Sequence, residues 1–149
     1  MTTRTTLALL LWLTAAATSP ATELAAPATV AEQSALSAYT TPLETMFGIV
    51  EQINTQLASA QDEESAEAAG EAIQELLPPL NAQAQAFSQL AAPTPEVQEA
   101  LNAWFAAREH TMETMVQEVE RLKNEDPAFF GSQTLIAAIV MVGGILSGE

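Results

Sequence analysis

The chain contains no cysteine. That one absence excludes disulfide staples, a thiol nucleophile, covalent haem attachment through Cys-x-x-Cys-His, and a lipid anchor that needs a cysteine at the cleavage site. Basic residues are nearly as scarce: four Lys and Arg stand against nineteen Asp and Glu, a formal net charge of −15. Nucleic acid and anionic lipid surfaces are held by neutralising their phosphates, so both are expected to be poor partners, and no nucleic-acid partner is predicted. Acidity on this scale keeps a protein soluble and repels like-charged surfaces without naming a ligand. Glycine is thin before the C-terminus, and neither a phosphate-cradling glycine loop nor a Gly-x-Ser-x-Gly elbow occurs. Aromatics make up 5% of the residues, and the Ala-rich remainder gives no sign of a cleft that would drive two carboxylate pKa values apart. The absences together predict a protein that is not an enzyme and carries no cofactor.

What is present begins with the first twenty-odd residues. Arg4 precedes an apolar run from Leu7 to Ala17, and Ser19, Pro20 and Ala21 follow it. A short positive start, an apolar segment too short to span a bilayer and a cluster of small residues are the build of an export signal. Residues 1–21 are therefore expected to be a signal peptide, with Ala15 to Ala17 as a second candidate cut. The remaining 22–149 would form one domain, periplasmic or extracellular. Cleavage would remove Arg4 and leave three basic against nineteen acidic residues, a net charge of −16.

Ala, Gln, Glu and Leu dominate the rest, and no stretch alternates apolar and polar for long, so the fold class is all-α. A first helical segment opens at Thr29 and Glu32, a capping-box pattern, and runs to about Ala60. A second start signal inside it, Thr41-Pro42-Leu43-Glu44, predicts a kink at Pro42. Leu36, Tyr39, Leu43, Met46, Phe47, Val50, Ile53 and Leu57 keep three-four spacing throughout. A second segment starts at Asp62 and carries Ala66, Ala69, Ile73, Leu76, Leu77, Leu80, Ala84 and Phe87 in phase across Pro78 and Pro79, where a bend or short break is expected. A third starts at Thr94-Pro95-Glu96 and holds Val97, Leu101, Trp104, Phe105, Met112, Met115, Val119 and Leu122 before ending at Asn124 to Pro127. The expected architecture is an up-down helical bundle of three long kinked helices with a fourth, C-terminal apolar helix over 132–147.

That last helix differs in kind. No charge falls between Pro127 and Gly148, and Leu135 to Leu146 is apolar on every side of a helix. Such a helix needs cover all round, and three covers are open: a central place in its own bundle, a subunit interface that would make the protein a homo-oligomer, or lipid. Leu135, Ile136, Ile139, Val142, Gly143, Gly144 and Leu146 are the candidate membrane or oligomer contacts. Gly143 with Ser147, and Gly144 with Gly148, have spacing that permits close helix approach.

Few residues invite chemistry. His110, the only histidine, lies about 165° from the centre of its helix's apolar stripe and should face water. Neither Glu-x-x-His nor His-Glu-x-x-His order is present, so no metal site is predicted. Met46 sits where exported b-type cytochromes place a haem ligand, but the last segment has no histidine to complete the pair. Met46, Met112 and Met115 read as core filler. Glu64, Glu67, Glu71 and Glu75 form a carboxylate row on the polar side of the second helix, read as a solvated face. Arg108 falls inside the apolar stripe between Trp104, Phe105 and Met112 and at the height of the proline positions. It is expected to donate to carbonyls freed at Pro78 and Pro79, with an anion contact as the alternative.

Asp62-Glu-Glu-Ser65-Ala66-Glu-Ala68-Ala69, a long helix, a proline turn and a Met- and Glu-rich helix ending near Arg121 resemble a loose group of small exported bacterial helical proteins of unassigned function. The resemblance covers about residues 40–130 and implies a helical fold and an exported address; the apolar tail after Phe130 departs from it. The expected function is non-enzymatic protein contact, as an envelope interaction or scaffold module with an unidentified protein partner. The alternatives are a small-ligand or metal-binding bundle around Met46, Trp104 and Arg108, and a membrane-associated protein that inserts its C-terminal helix.

Overall fold

The computed structural model describes residues 30–148, so the expected signal peptide 1–21 and the capping residue Thr29 lie outside the described residues. Among the described residues the regular structure is all helical: α1 (Val30–Ser59), α2 (Glu63–Ser88), α3 (Pro95–Ala106), α4 (Glu109–Glu125), a 3₁₀ turn (Phe129–Gly131) and α5 (Gln133–Ser147).

The three-four stripe of α1 becomes its buried face, with Leu43, Met46, Ile49, Val50, Ile53 and Leu57 in the core. It packs on Ala66, Ala69, Ile73, Leu77 and Leu80 of α2 across a short corner, which makes α1 and α2 the central pair. Asp62 starts α2 by accepting from the Ser65 N–H at 2.8 Å, while Ser65 Oγ accepts from the Asp62 N–H at 3.1 Å. The Ser65 hydroxyl, then its backbone N–H, hold the Asp62 carboxyl below its ordinary pKa.

α2 runs through Pro78 and Pro79 as one continuous helix, in keeping with the unbroken phase of its stripe, and α1 likewise runs through Pro42. A proline deprives the carbonyl four residues back of its partner. Here those carbonyls belong to Ala38, Gln74 and Glu75, all exposed residues, where water replaces the missing donor.

The third segment does break. One helix is expected from Thr94 to Asn124, and two form. α3, capped by Thr94 with Pro95 in its first turn, stops at Ala106, and Arg108 takes a non-helical conformation (φ −120°, ψ 6°) before α4. The break lets each half meet α1 separately. Trp104 and Phe105 pack on Phe47 with ring centroids 5.1 and 6.1 Å away, and Asn54 Nδ2 donates to the Thr111 carbonyl at 2.9 Å. Tyr39 donates to the Ala91 carbonyl at 2.8 Å, and Arg121 reaches Leu57. From Ala91 to Arg121 the chain therefore descends α1 in α1's own direction, toward the corner between α1 and α2.

α5 lies on α2, and only one of its faces is covered. Leu135, Ala138, Val142 and Leu146 are buried. The chain's own bundle therefore supplies only part of the cover, with Val140 67% exposed and Met141 42%, and a subunit interface or lipid stays open as cover for the rest.

Candidate functional site

The features that set this chain apart converge on α5 and the turn that launches it. α4 ends at Asp126, whose carboxylate accepts from the backbone N–H of Ala128 at 2.8 Å and of Phe130 at 3.1 Å. Held there, the chain reverses through three consecutive residues with positive φ: Phe129 at 50°, Phe130 at 56° and Gly131 at 80°. Only the glycine suits that left-handed region; two phenylalanines in it are strained. Their rings pack against the core, which holds them in place.

Ser132 follows as the N-cap of α5, nearly fully buried, its Oγ accepting from the Leu135 N–H at 3.0 Å. The same hydroxyl donates to Glu67 Oε2 at 2.6 Å, and the Thr134 hydroxyl donates to Glu67 Oε1. One carboxylate of α2 thus receives two hydroxyls from the first turn of α5 and stands near its positive dipole end. The Ser132 bond first, then the Thr134 bond, lower the Glu67 pKa. One turn along α2, Gly70 supplies the room: a Cβ there would stand 2.5 Å from the Leu135 nitrogen and 2.8 Å from both Leu135 Cα and the Thr134 carbonyl carbon. Glu67 and Gly70 form a polar latch and a notch that fix where α5 begins.

Beyond that start, α5 has two apolar faces. Of the seven residues singled out in the sequence, Leu135, Val142 and Leu146 are buried, Ile136, Ile139 and Gly144 are half-buried, and Gly143 is exposed. A Cβ at Gly143 or Gly144 would meet nothing within 4 Å. The outward stripe is Ala137, Val140, Met141 and Gly144, at helical spacing.

The remaining candidates lie elsewhere. The guanidinium of Arg108 stacks on Trp104, 3.9 Å from the ring centroid, and Nη1 donates to the Trp104 carbonyl at 3.3 Å. It serves its own helix end rather than the carbonyls at Pro78 and Pro79. The reach between helices belongs to Arg121: Nη2 donates to Leu57 O at 2.9 Å and Ala60 O at 3.4 Å, closing the C-terminus of α1. Nε and Nη1 pair with Glu118 and Glu125 at 2.8 and 2.7 Å, and the Glu118 hydrogen bond leads the causes that raise the Arg121 pKa. Met46 is buried, Met112 and Met115 are half-buried, and His110 is exposed. Glu63, Glu64, Glu67 and Glu71 line a shallow surface groove with Ala68. Among the described residues no group of three or more His, Asp or Glu is arranged to hold a metal ion, and no helix is long and apolar enough to cross a membrane.

Sequence reasoning missed Gly70 and placed Glu67 only in a solvated carboxylate row, whereas it accepts from Ser132 and Thr134. The signal was available for one of them: Gly70 is the sole glycine of an Ala-rich helix, where alanine would serve better unless another backbone approaches. No protein-family model, curated protein or solved structure matches this chain.

Proposed function

We propose that this is a non-enzymatic exported protein that acts by contact with another protein, as an envelope interaction or scaffold module, and that the outward face of α5 is the contact surface. One observation carries the reading: Val140 and Met141 stand 67% and 42% exposed on a helix with no charge from Gln133 to Ser147. Elsewhere the exposed surface is rich in carboxylates, which a partner would have to desolvate or neutralise. An uncharged apolar stripe is the part of this molecule that gains by being covered. The export address rests on the pattern of residues 1–21, and the resemblance to small exported helical proteins agrees with it. The finer architecture we propose is an up-down bundle bent at Pro42, Pro78 and Pro79, supported by the tight corner between α1 and α2 and by the descent of α3 and α4 along α1.

At 1.5 Å per residue α5 is about 22 Å long, short of the ~30 Å of a hydrocarbon core, so the lipid alternative is limited to surface association. Photo-crosslinking in native cells tests the proposal, with the reactive side chain at position 140 and a control at Thr55 on the exposed side of α1. A protein adduct specific to position 140, reduced by Met141→Asp, is the expected result. Equal adducts at both positions, or lipid adducts alone, overturn it.

A further inference from the structure

We infer that α5 is exchanged between two copies of this chain, each copy's α5 docking on the other's α2. The occupant of the α2 face is already known: Glu67, Gly70, Ile73, Leu77 and Leu80 fit α5, and an α5 from a second copy presents the same side chains to the same face. No new complementarity has to arise, which is why exchange of an identical element is a low-cost route to a dimer.

Three observations point to α5 as the element that moves. It packs chiefly on α2 and is linked to α4 through the Asp126–Ser132 turn. That turn holds backbone strain, because Phe129 and Phe130 sit at φ 50° and 56° where α5 folds back on its own body. Straightening the turn returns both residues to the extended region that phenylalanine favours, and strained hinge segments of this kind invite exchange. Third, α5 carries no charge, so the docking face it presents to a second, strongly acidic copy adds no carboxylate to that contact, and Glu67 still receives the Ser132 and Thr134 hydroxyls. The inference is independent of what covers the outward face, because Val140 and Met141 point away from α2 in either arrangement.

The test is the mass of the full chain by light scattering after refolding from denaturant at low and at high protein concentration. A dimer whose yield rises with refolding concentration and persists on dilution is expected. Phe130→Gly removes part of the hinge strain from the monomer and should lower the dimer association constant by about tenfold. Val140→Asn should leave it unchanged. A chain that stays monomeric throughout overturns the inference, as does a dimer lost with Val140→Asn but indifferent to Phe130→Gly, which would be pairing through outward faces. Because the native chain has no cysteine, a second experiment reads the exchange directly. Glu67→Cys and Thr134→Cys copies are refolded together and oxidised. A disulfide joining one copy of each is expected in the dimer fraction, and a dimer without it refutes exchange.

Discussion

α4 and α5 flank the same central pair and are opposite in kind. α4 is charged at seven of its seventeen positions and buries one residue, Leu122; α5 has no charge and buries four. The charged helix is nonetheless fixed in phase, because its few apolar residues occupy one side and because Arg121 and Asn54 tie it to α1. The apolar helix has no phase of its own: any face could have turned inward. Its rotation is chosen by Glu67 and Gly70, which accept the Ser132 and Leu135 end in one orientation only. Hydrophobicity supplies attraction, whereas the latch and the notch supply the address.

Breaking the notch should separate the two helices most sharply. Gly70→Val places side-chain atoms on the Leu135 backbone, which has nowhere to yield, and should cost about 3 kcal/mol in urea unfolding. Amide exchange should quicken along α5 before α4. Next come the paired truncations Leu122→Ala and Leu135→Ala, both fully buried. Each should cost about 3 kcal/mol, the same for both despite the contrast in their helices, because cavity cost follows burial at the site. Smaller again is Arg121→Met, which frees the Leu57 and Ala60 carbonyls but leaves a side chain that was 29% exposed. A loss of about 1.5 kcal/mol is expected, nearly independent of salt if the carbonyl bonds dominate and salt-sensitive if Glu118 and Glu125 do.

The smallest effect sharpens the comparison through pH. The Glu67 carboxyl has a folded pKa below its ordinary 4.5. Its contribution is therefore fully present above that value and is lost as pH falls through the lower, folded pKa. The α5 amides should lose exchange protection over that acid range earlier than those of α4. Glu67→Gln should abolish the difference between the helices while shifting the melting temperature only slightly at neutral pH.

How much of this was legible beforehand depended on phase. In α1 and α2 the three-four stripes gave the buried faces residue by residue, and their continuity across Pro42, Pro78 and Pro79 was the better guide than the prolines themselves. The prolines alone left a full break open, because their cost depends on whether the orphaned carbonyl meets water, and the exposure of Gln74 and Glu75 is not written in a breaker residue. At Arg108 a charge inside a stripe is a true signal of irregularity. What it marks is an interruption of the stripe where two helices meet, not a link to a neighbouring helix. For α5 the sequence offered no phase, so its covered face stayed open. A serine placed before such an apolar run, as Ser132 is, reads as a cap and gives the start of α5 without its face. The candidate site was legible as an element and illegible as a face.

Both clamps close on the corner between α1 and α2. Arg121 reaches Leu57 across 64 residues of sequence, and Ser132 reaches Glu67 across 65. Loop-closure entropy varies only with the logarithm of length, so the two dockings carry nearly equal chain-ordering penalties, both larger than that of the short α1–α2 corner. The expected order of assembly has the α1–α2 hairpin form first from local contacts and the two outer helices arrive late. Substitutions in either clamp should then accelerate unfolding and leave the folding rate almost untouched, whereas Asp62→Ala at the corner should slow folding itself.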